Sequence, residues 1–431
     1  MRGLEHYFEL YQHDTTLSRE VLAGVTTFLT MAYIVFVNPA ILSDAGVDRD
    51  AAFVATCLAA AIGCLLMGLL ANYPIALAPG MGLNAFFTYT VVGHLGHSWQ
   101  TALGVVFLSG LIFLVLSVLP VREWIVNAIP RALKMAISAG IGMFLAIIAL
   151  RNAGIVVDSP ATLVQLGDLG TPSALLAALG FFAMVAMDRL RVPGAILISI
   201  ITVTILSTFI GLNTYSGIVS APPSLSPTFM QLDIAAAFEL GLISVVFAFL
   251  FVDLFDTAGT LIGVAHRAGL LDENGRLPRL RSALLADSLA TVAGAALGTS
   301  TTTSYIESAA GIRAGGRTGL TAVVVGVLFL GCLFFAPLAG SVPAYATAPA
   351  LLFVACMMAR GLSEINWDDV TDYVPAVVTA LAMPLTFSIA TGIGIGFITY
   401  AAVKVLSGRW SEATPAILIL AGAFVLKFAF L

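Results

Sequence analysis

Residues 242–265 read LISVVFAFLFVDLFDTAGTLIGVA, an apolar run long enough to cross a bilayer that nevertheless carries two carboxylates, Asp253 and Asp256. A third, Glu307, lies in residues 298–311, GTSTTTSYIESAAG, whose threonines and small residues do not make an ordinary spanning helix. An ionisable group at bilayer depth costs about 3 kcal/mol or more unless a partner, water or ligand satisfies it. The three acids therefore mark a polar site inside a membrane protein, which points to transport.

Composition agrees. Of 431 residues, 59% are hydrophobic and 10% charged, and the mean hydropathy is +1.02, whereas a soluble domain carries about a quarter charged residues. The net charge of −5 says little about partners, because its arrangement matters more than its sum. Residues 1–20 lack the apolar core and cleavage site of a signal peptide, so none is expected. Cys57, Cys64, Cys332 and Cys356 all fall in apolar stretches and read as small hydrophobes, without disulfide or metal spacing.

Fourteen spans are expected, at about 20–43, 51–71, 75–95 (broken), 99–120, 131–150, 171–187 and 192–212, then 236–265, 281–297, 299–315 (broken), 317–338, 343–360, 371–390 and 392–408. The apolar tail, 414–431, is marginal in length and reads as a short extra helix or an interfacial one. With both termini cytoplasmic, sixteen basic residues fall inside and two, Arg49 and Arg151, outside; Lys427 sits in the tail. That bias obeys the positive-inside rule and supports the count.

The third and tenth spans are interrupted alike. Residues 72–92, NYPIALAPGMGLNAFFTYTVV, carry Pro74, Pro79, Gly80 and Gly82 before a helix expected from Leu83 or Asn84. Residues 294–312, GAALGTSTTTSYIESAAGI, carry a β-prone Thr/Ser run before a helix expected near Tyr305. Non-helical backbone at membrane depth survives only where protein or a cavity satisfies it, and two such segments in matching halves mark the site of an inverted-repeat carrier. Asn84 and Glu307 are 223 residues apart, and the same offset sets Asp256 against Tyr33. Seven spans per copy is odd, so the second copy is inverted.

Half-helices starting near the midplane present unpaired N–H groups and a fractional positive charge. With carboxylates beside them they suit a small planar heterocycle of mixed donors and acceptors. Asp256 reads as a substrate contact, a proton carrier, or both. Asp253, one turn earlier, reads as a proton carrier or as a brace of the eighth helix against the first or tenth. Thr260, at i+4 from Asp256, points into the same cavity or bonds its own backbone. Glu307 opens its half-helix as a substrate contact, with Tyr305 and Ile306 offering backbone amides to the site. Asn84 is a polar contact on the third span or an N-cap of its own half-helix. Phe28, Tyr33, Phe86 and Phe255 are candidates to stack on a ring.

Other polar residues read as structural. Asp287 is expected to pair with an arginine at the cytoplasmic end, and Asp368, Asp369 and Asp372 to form a solvated helix start, Asp372 lying nearest a gate. His94 and His97 have no acid or cysteine nearby, so no metal site is expected. GxxxxGK[ST], HExxH and GxSxG are absent, leaving an ion gradient as the driving force.

Residues 77–87 (LAPGMGLNAFF), 250–263 (LFVDLFDTAGTLIG), 298–320 (GTSTTTSYIESAAGIRAGGRTGL), 367–397 and 26–42 (TTFLTMAYIVFVNPAIL) resemble the AzgA-like branch of the nucleobase–cation symporter-2 (nucleobase–ascorbate) family. The resemblance covers nearly the whole chain. It implies the uracil-permease fold: an all-α polytopic membrane protein of fourteen transmembrane segments as 7+7 inverted repeats, with short strands in spans 3 and 10. After a cytoplasmic segment at 1–19, a core domain would comprise 20–120 and 236–340, a gate domain 121–235 and 341–410, and an apolar tail 411–431. It further implies import of adenine, guanine and hypoxanthine with protons across the inner (plasma) membrane, and a homodimer through the gate domain. Asp256 and Glu307 match the two acidic substrate contacts, and Asn84 matches the polar residue of the third span. Where the uracil and xanthine branches carry a histidine one turn after the eighth-span acid, this chain has Thr260. That moves proton coupling onto a carboxylate, Asp256 before Asp253; sodium remains an alternative coupling ion. No cofactor and no nucleic-acid partner is expected beyond membrane lipid. An anion carrier of the same architecture, a membrane enzyme using the acid pair, and a non-transporting nucleobase receptor are the alternatives.

Overall fold

A computed structural model describes residues 2–119, 130–268, 270 and 277–430. Arg122 and Arg276, and the side chains of Phe255, Asp256 and Arg267, lie outside the described residues. Among the described residues, helices and two broken segments occupy the fourteen expected spans, with a further short apolar helix in the tail. Nine are long apolar helices: Leu17–Asp44, Arg49–Ala71, Trp99–Val118, Arg131–Asn152, Pro172–Arg189, Leu280–Leu297, Gly319–Gly340, Ala344–Glu364 and Ile389–Leu406. Ala195–Phe209, Leu240–Ala268 and Val370–Thr386 are three more helices. The last two are the broken third and tenth spans. The chain is an all-α polytopic membrane protein, as its sequence implies.

Local chemistry fixes the helix starts. Thr16, Asp48, Ser98, Thr171, Asp369 and Ser388 each accept a hydrogen bond from an amide two or three residues on, satisfying donors that a helix N-terminus leaves open. Asp369 also pairs with Arg409, consistent with the solvated helix start expected there.

The broken spans meet in a short ladder. Four strands are present: β1 (Leu77–Pro79), β2 (Val156–Ser159), β3 (Leu163–Leu166) and β4 (Thr302–Ser304). β1 pairs antiparallel with β4, Ala78 facing Thr303 at the centre. Amides beyond the ladder extend it: Gly80 donates to Thr301 O at 2.9 Å, and Tyr305 to Ala76 O at 2.9 Å. On the outer side of β1, Leu77 N–H and C=O both lie 3.2 Å from Cys64 Sγ. Paired positions in this antiparallel ladder differ by 227, 225 and 223 residues (304 − 77, 303 − 78, 302 − 79), so the pairing itself defines no single offset. The two helices begin at different distances from the ladder. The third-span helix starts at Met81, directly after the extended Gly80. The tenth starts at Ser308, because the ladder holds Tyr305 until then. The second sheet, β2 with β3, is a hairpin between the fifth and sixth spans that the apolar pattern does not announce.

The first span is also discontinuous, a break the sequence reading did not include. It runs as Leu17–Met31 and Ile34–Asp44, with Ala32 and Tyr33 at the joint.

Packing falls into two sets. The first, second, fourth, ninth and eleventh spans pack on one another, and the fifth packs on the twelfth and thirteenth, with the sixth and seventh against the twelfth. Close approach needs glycine at many places, Gly311 and Gly298 among them. A Cβ on Gly311 would lie 2.1 Å from Thr27 Oγ1 and 2.4 Å from Ala23 O, so the tenth half-helix touches the first span backbone to backbone. Gly298 has φ +103°, and a Cβ there would lie 2.2 Å from Thr228 Cβ.

The tail forms the helix Pro415–Phe430. Sixteen residues at 1.5 Å each reach about 24 Å, short of a hydrocarbon core of about 30 Å. It packs on the fourteenth span, Phe424 stacking on Phe397 with centroids 6.3 Å apart. Its approach is fixed by Lys404, fully buried, which donates to Asp372 at 2.8 Å, Thr371 at 2.9 Å and Glu412 at 2.5 Å.

Candidate functional site

The site is built where β1 and β4 cross and two helices begin. Gly80 caps one and Glu307 the other. Because the ladder consumes the strand amides internally, the crossing is rigid backbone buried in protein, which satisfies the bilayer's demand. Ser308 Oγ accepts from Ala76 N at 3.0 Å and locks the second helix start to the first strand.

Glu307 does not cap its own helix with its side chain. Its Oε1 accepts from Tyr33 Oη at 2.7 Å, across the joint in the first span. Tyr33 is fully buried, whereas Glu307 is only partly so and Ile306 beside it is 47% exposed. Glu307 is thus half-buried, its carboxylate held from behind by Tyr33. Tyr33 serves as a donor to Glu307 and is no exposed platform for a ring, as expected of a stacking candidate.

Asn84 lies one turn into its half-helix, fully buried. Gly80 is the cap, so Asn84 is not the N-cap that its position allowed; among the described residues neither atom of its amide has a hydrogen-bond partner. The half-helix Met81–Ala85 packs against Leu240–Ala268, the helix that carries Asp253, Asp256 and Thr260. Asp256 is placed in that helix by its backbone, while its side chain lies outside the described residues; Thr260 follows, half-buried, at i+4.

Two buried carboxylates knit these parts together. Asp253 Oδ2 accepts from Thr291 Oγ1 at 3.3 Å, and that hydroxyl is itself held by Thr302 N and O in β4 at 3.2 and 3.1 Å. Asp253 therefore braces the eighth span against the ninth and, through Thr291, against β4 of the tenth. Asp287 Oδ1 accepts from Thr257 Oγ1 at 2.9 Å and Ser304 Oγ at 3.3 Å. It is turned inward, joining the residue next to Asp256 to the strand that leads to Glu307, where the sequence reading set it toward a cytoplasmic arginine. Hydrogen bonds to a charged group contribute about 1.5–3 kcal/mol each.

Several expectations are corrected here. Tyr305 does not offer its amide to a ligand: N–H donates to Ala76 O and Oη to Pro79 O at 2.6 Å. Phe86 is fully buried against Phe249, centroids 4.9 Å apart, so it is core. Phe28 meets Phe329 edge-on at 5.3 Å, and Phe255 lies outside the described side chains. Among the described residues no three His, Cys, Asp or Glu side chains converge as a metal site. Sequence reasoning missed Thr257, Thr291 and Ser304 as partners of the acids. Their signal was weak, since hydroxyl residues are common wherever helices pack in membranes.

Comparison with known proteins places this arrangement. The Permease family model (Xan_ur_permease) matches residues 18–395. The adenine permease AdeP of Escherichia coli is 49% identical over 428 residues, covering 99% of this chain and 96% of its own. The guanine/hypoxanthine permease PbuG of Bacillus subtilis is 46% identical over 440 residues, covering 99% and 100%. Among solved structures, the transmembrane domain of the cyanobacterial bicarbonate transporter BicA superposes with a TM-score of 0.67 at 17% identity, covering 87% of this chain and 97% of that one. At that identity the likeness shows the fold alone. Sequence and fold together make this chain a multi-pass membrane protein that belongs to the permease family, among the nucleobase–cation symporter-2 proteins.

Proposed function

We propose that the protein imports purine nucleobases (adenine, guanine, hypoxanthine) across the plasma membrane by proton symport. The observation that carries this reading is Glu307, a half-buried glutamate whose carboxylate is pinned by Tyr33 where two broken spans cross. Such a group accepts from the ring or exocyclic N–H of a base. Asn84, with an amide that both donates and accepts, and Asp256 supply the remaining polarity, with Thr260 and Ile306 beside them. Tyr305 contributes by holding β1 in place. Asp256 carries the coupled proton, and Asp253 acts mainly as a brace. The relatives named for adenine and for guanine/hypoxanthine support the substrate class.

Alternating access follows from moving a core of 20–120 and 236–340 against a gate of 121–235 and 341–410. The two sets of mutually packed spans support that division. A homodimer through the gate, both termini cytoplasmic, belongs to the same reading. An anion is disfavoured: residues 72–92, 242–265 and 298–312 contain no lysine, arginine or histidine to meet one. The test is uptake of radiolabelled purines by cells lacking their own permeases. Glu307→Gln and Asp256→Asn should each reduce it at least tenfold with membrane insertion unchanged; full uptake in either removes that residue from the site.

A further inference from the structure

We infer that Tyr33 is a positioning residue for Glu307, fixing how its carboxylate is presented to the ligand. This rests on the reading of Glu307 as a substrate contact. Tyr33 sits at the joint of the first span, between Leu17–Met31 and Ile34–Asp44. The joint is tied in place: Ala32 N donates to Phe28 O at 2.7 Å, while Phe36 N and Val37 N both donate to Tyr33 O, at 3.0 and 3.1 Å. The phenol is fully buried and its hydroxyl lies 2.7 Å from Glu307 Oε1. The glutamate's own backbone N–H reaches the same carboxylate, so Tyr33 is the side chain that holds it from outside its own residue. A glutamate at a helix cap has three side-chain torsions to order before it can bind anything. With Oε1 held from behind by Tyr33, the carboxylate plane is set before a ring N–H approaches. The site is thereby ordered before ligand arrives, which is the usual way in which a supporting hydrogen bond raises affinity.

Tyr33 acts only through Glu307, so the two substitutions must be coupled. The experiment measures equilibrium binding of radiolabelled adenine, guanine and hypoxanthine to purified protein carrying Tyr33→Phe, Glu307→Gln or both, with transport KM and Vmax for Tyr33→Phe. The expected result is binding weakened about tenfold by Tyr33→Phe in the wild-type background and no further loss in Glu307→Gln. KM should rise by the same factor with Vmax within twofold. Wild-type affinity in Tyr33→Phe overturns the inference, as does an equal loss in both backgrounds, which would mean a general packing role. Glu307→Gln binding as tightly as wild type, or no binding of any of the three purines by wild type, removes the site reading and this inference with it. Tyr33→Phe keeps the ring, so a failure to fold is excluded by its thermal unfolding profile.

Discussion

Asp287 is the residue whose position says most about how the site stays assembled. It lies two turns into the ninth span, yet its bonds run to Thr257 and Ser304, one on each of the two acid-bearing segments. Asp287→Ala removes both acceptor bonds inside protein, where stranded hydroxyls cost about 1–3 kcal/mol. The expected outcome is a lower thermal unfolding temperature in detergent and at least a fivefold fall in purine uptake. Unchanged stability and uptake would show that Thr257 and Ser304 find other partners. At this scale the sequence revealed the acids, because charge in an apolar run is conspicuous. It did not reveal their partners: Tyr33 and Glu307 are 274 positions apart, and neither helical nor strand periodicity relates them.

The crossing of β1 and β4 was legible as two interruptions, from Pro79, Gly80 and the run Thr299–Thr303. Its register was not, since three-residue strands leave almost no pattern to read. The break at Ala32–Tyr33 gave no sign either, because no proline or glycine marks it. Gly311 is the element-scale test of the tenth half-helix. Gly311→Ala puts a methyl against Thr27 Oγ1 and against the backbone carbonyl of Ala23. Uptake should fall sharply, and the double variant with Thr27→Ala should not recover it, because the carbonyl remains. Recovery would mean that only a side chain stood in the way. At the start of the helix Val370–Thr386, the Thr371 hydroxyl and then the Arg409 guanidinium hold Asp369 down to about 2. A carboxyl lowered in the folded state adds stability above its ordinary range, near 4, and loses that contribution as pH falls toward 2. Asp369→Asn should therefore flatten the fall in unfolding temperature between pH 4 and 2. An identical slope in the variant would show that this cap does not contribute there.

Across the whole molecule, the fourteen-segment count came through because charge bias and hydropathy agree on it. The two interruptions were visible at matching places, and the ladder joins them antiparallel, extended by one hydrogen bond at each end through Gly80 and Tyr305. The interior is thus a crossing of strands near three acidic positions, packed against the first, second, eighth and ninth spans. The most direct test is uptake of radiolabelled adenine, guanine and hypoxanthine into proteoliposomes of the purified protein, with and without an inward proton gradient. Accumulation of at least one purine above equilibrium, collapsing with a protonophore, is the expected result. Binding or equilibration that no proton gradient alters would contradict proton symport.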